Sequence, residues 1–302
     1  MFFTVINTSA GSVFHRSLLM LDRRVRAVTV EWTGTFWDSS QIPAAGAKAS
    51  PRRVLWIAVQ GETQLWGPDW QETLTTPCDG IWLPEAMLEG AEFKRERFFR
   101  VECAHYQRFE LRIEASDMGP NAALYQRFKV DQRVLPHLKQ LLSHEVTEQQ
   151  AVDAMMQTLA ILARDGVVKP ELLATIQSEE SPTLQRVWRA LSSQFARASL
   201  LPSMQNVADD AGVSLRQVGR DLHRLREVLH FRLDTFRSTF LTLRIRLAIL
   251  LLNSGSMSVR ETAARTGYGS TQAMSHAFKV ASVEPPEVFA ERGREFRRRT
   301  SV

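Results

Sequence analysis

Cysteine is nearly absent from this chain. Cys78 and Cys103 are the only two, and they have neither the clustered spacing of a zinc site nor that of a redox pair. That excludes a disulfide framework and leads us to expect a reducing, cytoplasmic setting. Long apolar runs are missing as well. The longest strongly apolar stretch, LAILLL at 247–252, falls far short of the roughly 20 residues a bilayer-spanning helix needs. The opening MFFTVINTSAG lacks a basic start followed by an apolar run and a small-residue cleavage site, so neither membrane insertion nor export is expected. Histidine is sparse: residues 1–125 hold only His15 and His105, far apart and without an H-x-H arrangement. We therefore expect no metal, no cofactor, and no metal-dependent oxygenase or isomerase chemistry. His105 and Cys103 read as packing residues because no partner acid or base stands at a recognisable spacing, and no catalytic residue is assigned: the chain is not expected to be an enzyme.

What the chain has is an asymmetry. Lys and Arg number 16 against 10 Asp and Glu after residue 200, but 22 against 23 before it, so the net +5 comes from the last third. A basic excess of this kind fits a polyanion partner, because each cation placed on a phosphate releases condensed counterions. A solvated charged face explains the same numbers, so charge alone does not decide. With 302 residues, about two or three domains are expected.

Residues 1–115 read as short strands. Val28, Val30 and Trp32 alternate, as do Leu55, Ile57 and Val59, and DGIWLPEAML, RFFRVEC and RFELRI continue the pattern between turn-forming Gly61, Gly67-Pro68 and Asp79-Gly80. This is the half-buried alternation of a small antiparallel barrel or sandwich. From Val130 the period changes to helical, over roughly 131–145, 147–164 and 182–198. One stripe is formed by Leu135, Leu138, Leu141 and Leu142, another by Val152, Met155, Met156, Leu159 and Leu162. SEESP at 178–182 marks a boundary, because a helix rarely runs through the residue before a proline.

The strongest signal is a repeat. SMQNVADDAGVS from Ser203 and SVRETAARTGYGS from Ser258 align at an offset of 55 residues, with Ser, Ala and Gly in register at 203/258, 208/263 and 212/267. Ser caps free backbone amides, and Glu261 completes a capping box with Ser258. The small Ala admits a crossing helix, and the Gly turns the chain sharply into a second helix, as a helix-turn-helix requires. In the first copy, Leu215, Val218, Leu222 and Leu225 form the inward stripe, leaving Arg216, Gln217, Arg220, His223 and Arg224 outward. In the second, Ala273, Met274, Ala277 and Phe278 point inward, leaving Thr271, Gln272, Ser275, His276 and Lys279. These outward side chains suit base edges and phosphates of a major groove. Any amphipathic helix has a polar face, but two in register with a Gly at both turns favour double-stranded DNA as the partner.

Over residues 181–292 the chain resembles the AraC/XylS DNA-binding domain. The second unit carries the resemblance best, through its small-Ala helix, Gly267-Tyr268, Phe278-Lys279, and Pro286 followed by Phe289; LTLRIRLAILLLNSGS resembles the connecting helix. That helix has its own stripe of Phe236, Phe240, Leu243, Leu247, Leu250 and Leu251, stopped at Gly255. Departures are Leu222 in place of Phe, Val283 in place of Gly, and an interval between Leu222 and Arg244 that is about six residues longer and includes EVLHFRLD. The resemblance implies an α+β chain with a cupin-like antiparallel β barrel at 1–125 that senses an effector, and a helical linker or dimerisation region at 126–180. It further implies an all-α double helix-turn-helix domain at 181–292, its two units joined by a long helix, and an Arg-rich tail at 293–302. It implies a homodimer and a cytoplasmic, nucleoid-associated bacterial transcription regulator, by tendency an activator, that recruits or hinders RNA polymerase.

For the front part, Trp56, Trp66, Trp70, Trp82, Phe98 and Phe99 are candidates to line an apolar effector pocket, with Arg53 or Arg100 for an anionic ligand. Ordinary core aromatics are the competing reading, as packing on the barrel is for the stripes at 131–164. A front part that binds a protein partner instead of a small molecule is the alternative function. The tail Arg292, Arg294, Arg297, Arg298 and Arg299 reads as a disordered, solvated end or as a source of phosphate contacts.

Overall fold

A computed structural model describes residues 2–8, 11–20, 25–34, 37–40, 51–67, 69–75, 77–85, 97–101, 105–143, 145–173, 182–196, 203–229, 236–253, 255–281 and 283–300. The first part is built from strands β1 (Phe2–Thr8), β2 (Gly11–Met20), β3 (Val25–Gly34), β4 (Trp37–Ser40), β5 (Arg52–Gln60), β6 (Thr63–Trp66), β7 (Gln71–Leu74), β8 (Asp79–Pro84), β9 (Arg97–Val101), β10 (His105–Glu114) and β11 (Arg127–Lys129). They pair antiparallel into a seven-stranded sheet of order β1-β2-β3-β10-β5-β8-β11 and a four-stranded sheet of order β4-β9-β6-β7.

The alternation along β5 explains where the core sits. Val54, Trp56 and Ala58 pack with Val28, Ile81, Leu83, Tyr106 and, from the smaller sheet, Leu65 and Val101. Leu55, Ile57 and Val59 point the other way, into a second core with Phe109, Leu111 and Ile113. That second core is closed by helices α1 (Val134–Leu142) and α2 (Glu148–Arg164). The large sheet is thus covered on both faces, and β5 is not the half-buried strand its alternation suggests.

This layering bears on three expectations. Trp56 and Trp82 are both fully buried, but in different cores on opposite faces of the sheet. Trp66 follows buried Leu65 on β6 and so lies on that strand's opposite face, half-buried. Arg53 is half-buried and donates from Nη1 to the Arg52 carbonyl at 2.9 Å. Arg53, Trp56, Trp66 and Trp82 therefore do not converge on one pocket. Phe98, Phe99, Arg100 and Cys103 fall outside what is described of the side chains, and Cys78 is a buried free thiol.

Second, Leu138, Leu141, Leu142, Met155, Leu159 and Leu162 are buried within the chain against the sheet, which fits the packing reading of those stripes, while Leu135, Val152 and Met156 are half-buried. Third, the described residues of 126–173 are bound to the front sheet. Strand β11 belongs to the large sheet, Gly119 N–H donates to the Val167 carbonyl at 3.0 Å, and Lys169 N–H to the Asp117 carbonyl at 2.9 Å. These bonds tie the segment after α2 back to the end of β10. Residues 174–181, which hold most of the SEESP boundary, lie outside the described residues.

The last part is helical: α3 (Pro182–Ala196), α4 (Met204–Ala211), α5 (Leu215–Leu229), α6 (Phe236–Asn253), α7 (Val259–Arg265), α8 (Thr271–Val280) and α9 (Pro286–Thr300). The Arg-rich segment expected to be a disordered tail is instead the second half of α9. Phe289 and Ala290 anchor that helix in a core with Ile249 and Leu252 of α6. The two helices touch at Gly293, where an added Cβ would lie 2.6 Å from the Leu252 carbonyl oxygen, 2.7 Å from that of Asn253 and 2.8 Å from Gly255 N. Backbone atoms cannot rotate away from such a clash. Gly293→Ala is therefore expected to destabilise this part by about 1–3 kcal/mol, read as a lowered urea midpoint; an unchanged midpoint would show that α9 does not dock here.

Among the described residues, no helix is long and apolar enough to cross a membrane, and no group of three or more His, Cys, Asp and Glu is placed to hold a metal.

Candidate nucleic-acid interface

The two sequence repeats form two compact units, each with its own core. In the first, Leu184, Val187, Trp188 and Leu191 of α3 pack on Val207, Ala208 and Ala211 of α4 and on Val218 and Leu225 of α5. In the second, Ile245, Ala248, Ile249 and Leu252 of α6 pack on Ala263 of α7, Met274 and Phe278 of α8, and α9. Phe236 at the start of α6 packs on the first core and Leu241 on the second, so one continuous helix is shared by both. Within it, Phe240, Ile245, Ala248, Ile249 and Leu251 are buried and Leu247 is half-buried, a broader apolar surface than a single stripe.

Capping starts each first helix. Asn206 N–H donates to Ser203 Oγ at 3.1 Å. Ser258 and Glu261 form the reciprocal box: Glu261 N–H donates to Ser258 Oγ at 3.2 Å, and Ser258 N–H to Glu261 Oε2 at 2.8 Å. The Ser258 hydroxyl, donating to Glu261 Oε2 at 2.7 Å, and after it the Ser258 amide hold the Glu261 carboxyl below its ordinary range. The turns follow from two glycines in the left-handed region, Gly212 at φ 62° and Gly267 at φ 74°, a conformation that disfavours a Cβ. Past them, Val213 N–H donates to the Ala208 carbonyl at 3.0 Å and Tyr268 N–H to the Ala263 carbonyl at 2.8 Å, satisfying helix-end carbonyls. Ser214 and Ser270 then cap α5 and α8 through the Gln217 and Ala273 amides, at 3.2 and 3.1 Å.

On α5, Arg216, Arg220, His223 and Arg224 are exposed. Gln217 is not on that face. It is half-buried, with Nε2 donating to Asp221 Oδ2 at 2.9 Å and Thr183 Oγ1 at 3.4 Å, while its Oε1 accepts from Arg220 Nη2 at 2.6 Å. Gln217 thus positions Arg220 instead of reaching outward. Leu215, assigned to the inward stripe, is exposed, because it is the first residue of the helix and projects past the core that Val218 and Leu225 enter. On α8, Gln272, His276 and Lys279 are exposed, and Thr271 and Ser275 are half-buried on the same side. Ala273 is exposed as well, so the inward stripe is Met274, Ala277 and Phe278.

One structural residue was missed in the sequence. Arg244, in the apolar run of α6, is buried; its Nε donates to the Thr266 carbonyl at 2.8 Å and its guanidinium lies 4.0 Å from the centre of the Tyr268 ring. It clamps the turn of the second unit onto the shared helix. A cation inside an apolar helical run, where Arg246 is the other, was the available signal. Of the basic tail residues, Arg292 is paired with Glu284 at 2.9 Å, whereas Arg294 and Arg298 are exposed on α9. Residues 230–235, within the longer interval between the units, lie outside the described residues.

No protein-family model and no curated relative matches the chain. Among solved structures, it is similar to ToxT from Vibrio cholerae, at 10% identity over 88% of this chain and 97% of that one, with a TM-score of 0.35. It is similar to unsaturated fatty acid bound ToxT from strain SCE256 at 12% identity, over 86% and 94%, with a TM-score of 0.35. A cupin superfamily protein from Desulfitobacterium hafniense matches 36% of this chain and 84% of its own, at 14% identity and a TM-score of 0.24. Scores this low do not establish a common fold, and the functional reading stands on the residues.

Proposed function

We propose that the chain is a sequence-specific DNA-binding transcription regulator in which α5 and α8 enter successive major grooves and the front β domain receives a small-molecule effector. The observation that carries this reading is the duplicated unit: two Ser-capped helices, each turned by a left-handed glycine into a second helix whose exposed face is polar or basic. The resemblance to AraC/XylS proteins adds the expectation of activation through RNA polymerase and of a homodimer. A route from effector to DNA is offered by Arg189 of α3, whose Nη2 lies 3.3 Å from Glu148 Oε2 of α2. This exposed pair links the front domain to the helix that braces α5. At about 0–1 kcal/mol, it is weak enough for a ligand-induced shift to break.

Gln272 and Lys279 are assigned different roles. Gln272, near the start of α8, suits bidentate pairing with adenine, so Gln272→Ala is expected to lose about 1–3 kcal/mol of discrimination at one base pair. Lys279 suits a phosphate, so Lys279→Ala should weaken all sequences alike and lower the salt slope by about one. Anisotropy titrations over a series of salt concentrations separate the two. If Gln272→Ala weakens every sequence equally, the base-reading role of α8 is lost. Stabilisation by a small molecule in a thermal-shift screen is expected from the effector assignment.

A further inference from the structure

Among the described residues, two large apolar side chains stand exposed, Leu215 at 46% and Val280 at 61%, and both lie on the two candidate reader helices. A single exposed leucine is ordinary on any surface; what matters here is its position. Leu215 is the first residue of α5, directly after the Ser214 cap, and the N-terminal residues of a reader helix are the ones that meet base edges. Beside it, Arg216 and Arg220 are exposed, and Arg220 is held by Gln217.

One turn further along the same face is Gly219. Its backbone is helical and outside the left-handed region, so no turn requires it. Packing does not require it either: among the described residues, an added Cβ would meet only Met204 Cε, at 3.9 Å, an ordinary contact. A glycine inside a helix weakens it relative to alanine, yet nothing among the described residues requires this one. The missing side chain does leave the helix backbone open to close approach from outside, next to the exposed leucine.

We propose that Leu215 and Gly219 form the surface on which α5 rests in the major groove, with Leu215 packed on the 5-methyl group of one thymine. The methyl is the one apolar feature that a base pair presents there, and a bare Cα four residues on lets the helix settle deeply enough to reach it. The inference rests on α5 being a DNA reader, and it makes this helix a reader of shape and methyl groups as well as of hydrogen bonds.

The test uses the full chain on the duplex it selects from a random pool. Thymines of the α5 half-site are replaced one at a time by uracil, which keeps the pairing and removes only the methyl. Wild type is expected to lose about fourfold in affinity at one position, the equivalent of about 0.8 kcal/mol for one buried methyl-sized group. Leu215→Ala is expected to bind the thymine and uracil duplexes alike. Gly219→Ala is expected to bind the selected duplex at least about fivefold more weakly, while its melting temperature rises by about 2–4 °C, which separates a contact effect from misfolding. Equal losses on uracil in wild type and Leu215→Ala, or wild-type affinity in Gly219→Ala, overturn the proposal with the regulator reading intact. Failure to select any sequence overturns both.

Discussion

Replacing Glu110 by alanine is expected to destabilise the front domain by about 3–5 kcal/mol, a large part of the roughly 5–15 kcal/mol that holds a domain together. Glu110 points into the space between the two sheets, where its Oε1 accepts from Arg108 Nη2 at 2.6 Å and its Oε2 from Arg112 Nη2 at 3.1 Å. Arg112 continues to Glu85 at 3.3 Å, and Arg52 approaches Glu85 at 3.9 Å. Glu110, Glu85, Arg52 and Arg108 are all buried, and the Arg108 guanidinium lies 3.6 Å from the centre of the Trp56 ring. Deleting the carboxylate takes its compensation from the buried Arg108 guanidinium and leaves the part-buried Arg112 with Glu85, and the penalty is the desolvation that the Arg108 charge keeps. Glu110→Gln preserves shape and one acceptor and is expected to cost less. Tryptophan fluorescence during urea unfolding reads the change selectively, because six of the seven tryptophans precede Leu83. A midpoint within error of wild type for Glu110→Ala would mean that the network is hydrated and that the two sheets do not close over it.

Arg244→Met is expected to loosen the second unit by about 2–5 kcal/mol. The hydrogen bond from its charged Nε to the Thr266 carbonyl is worth about 1.5–3 kcal/mol, and the guanidinium stacked on Tyr268 adds about 0.5–2 kcal/mol. Methionine keeps much of the volume, so the loss reports the polar clamp instead of a cavity. Burial lowers the Arg244 pKa and Tyr268 opposes that shift, while burial raises that of Tyr268; both groups keep their protons at neutral pH, and the clamp is expected not to titrate there. The tyrosine hydroxyl has no hydrogen-bond partner among the described residues, so Tyr268→Phe should cost little or nothing. Hydrogen exchange in the amides of α7 and α8 is the direct readout. Faster exchange there in Arg244→Met, with α4 and α5 unchanged, is expected; equal exchange in wild type and variant would remove Arg244 from the account.

The features legible in the sequence are those that local chemistry decides. Ser258, Glu261, Gly212 and Gly267 act within a few residues of themselves, so their caps and turns could be placed before any tertiary contact was known. Periodicity located the strands and helices for the same reason. It could not show what lies across a face. The charged positions of RFELRIE read as a solvent side, yet Arg108, Glu110 and Arg112 face another sheet and neutralise one another there. The Arg-rich end reads as a solvated tail by composition, and only the contact of Gly293 with the end of α6 reveals a docked helix. Gln217 belongs to the outward arc by angle alone, but Thr183 and Asp221 draw its amide inward.

The measurement that bears most directly on the proposed function is selection of bound DNA from a random pool by the full chain, followed by salt-dependent anisotropy on the enriched duplex. Two units on one shared helix predict a bipartite motif with half-sites about one helical turn, roughly 10 base pairs, apart. They also predict an affinity that falls with salt yet keeps its preference for that motif. Enrichment of no sequence, with affinity that follows salt alone, would contradict the account and reduce the C-terminal helices to a non-specific basic surface.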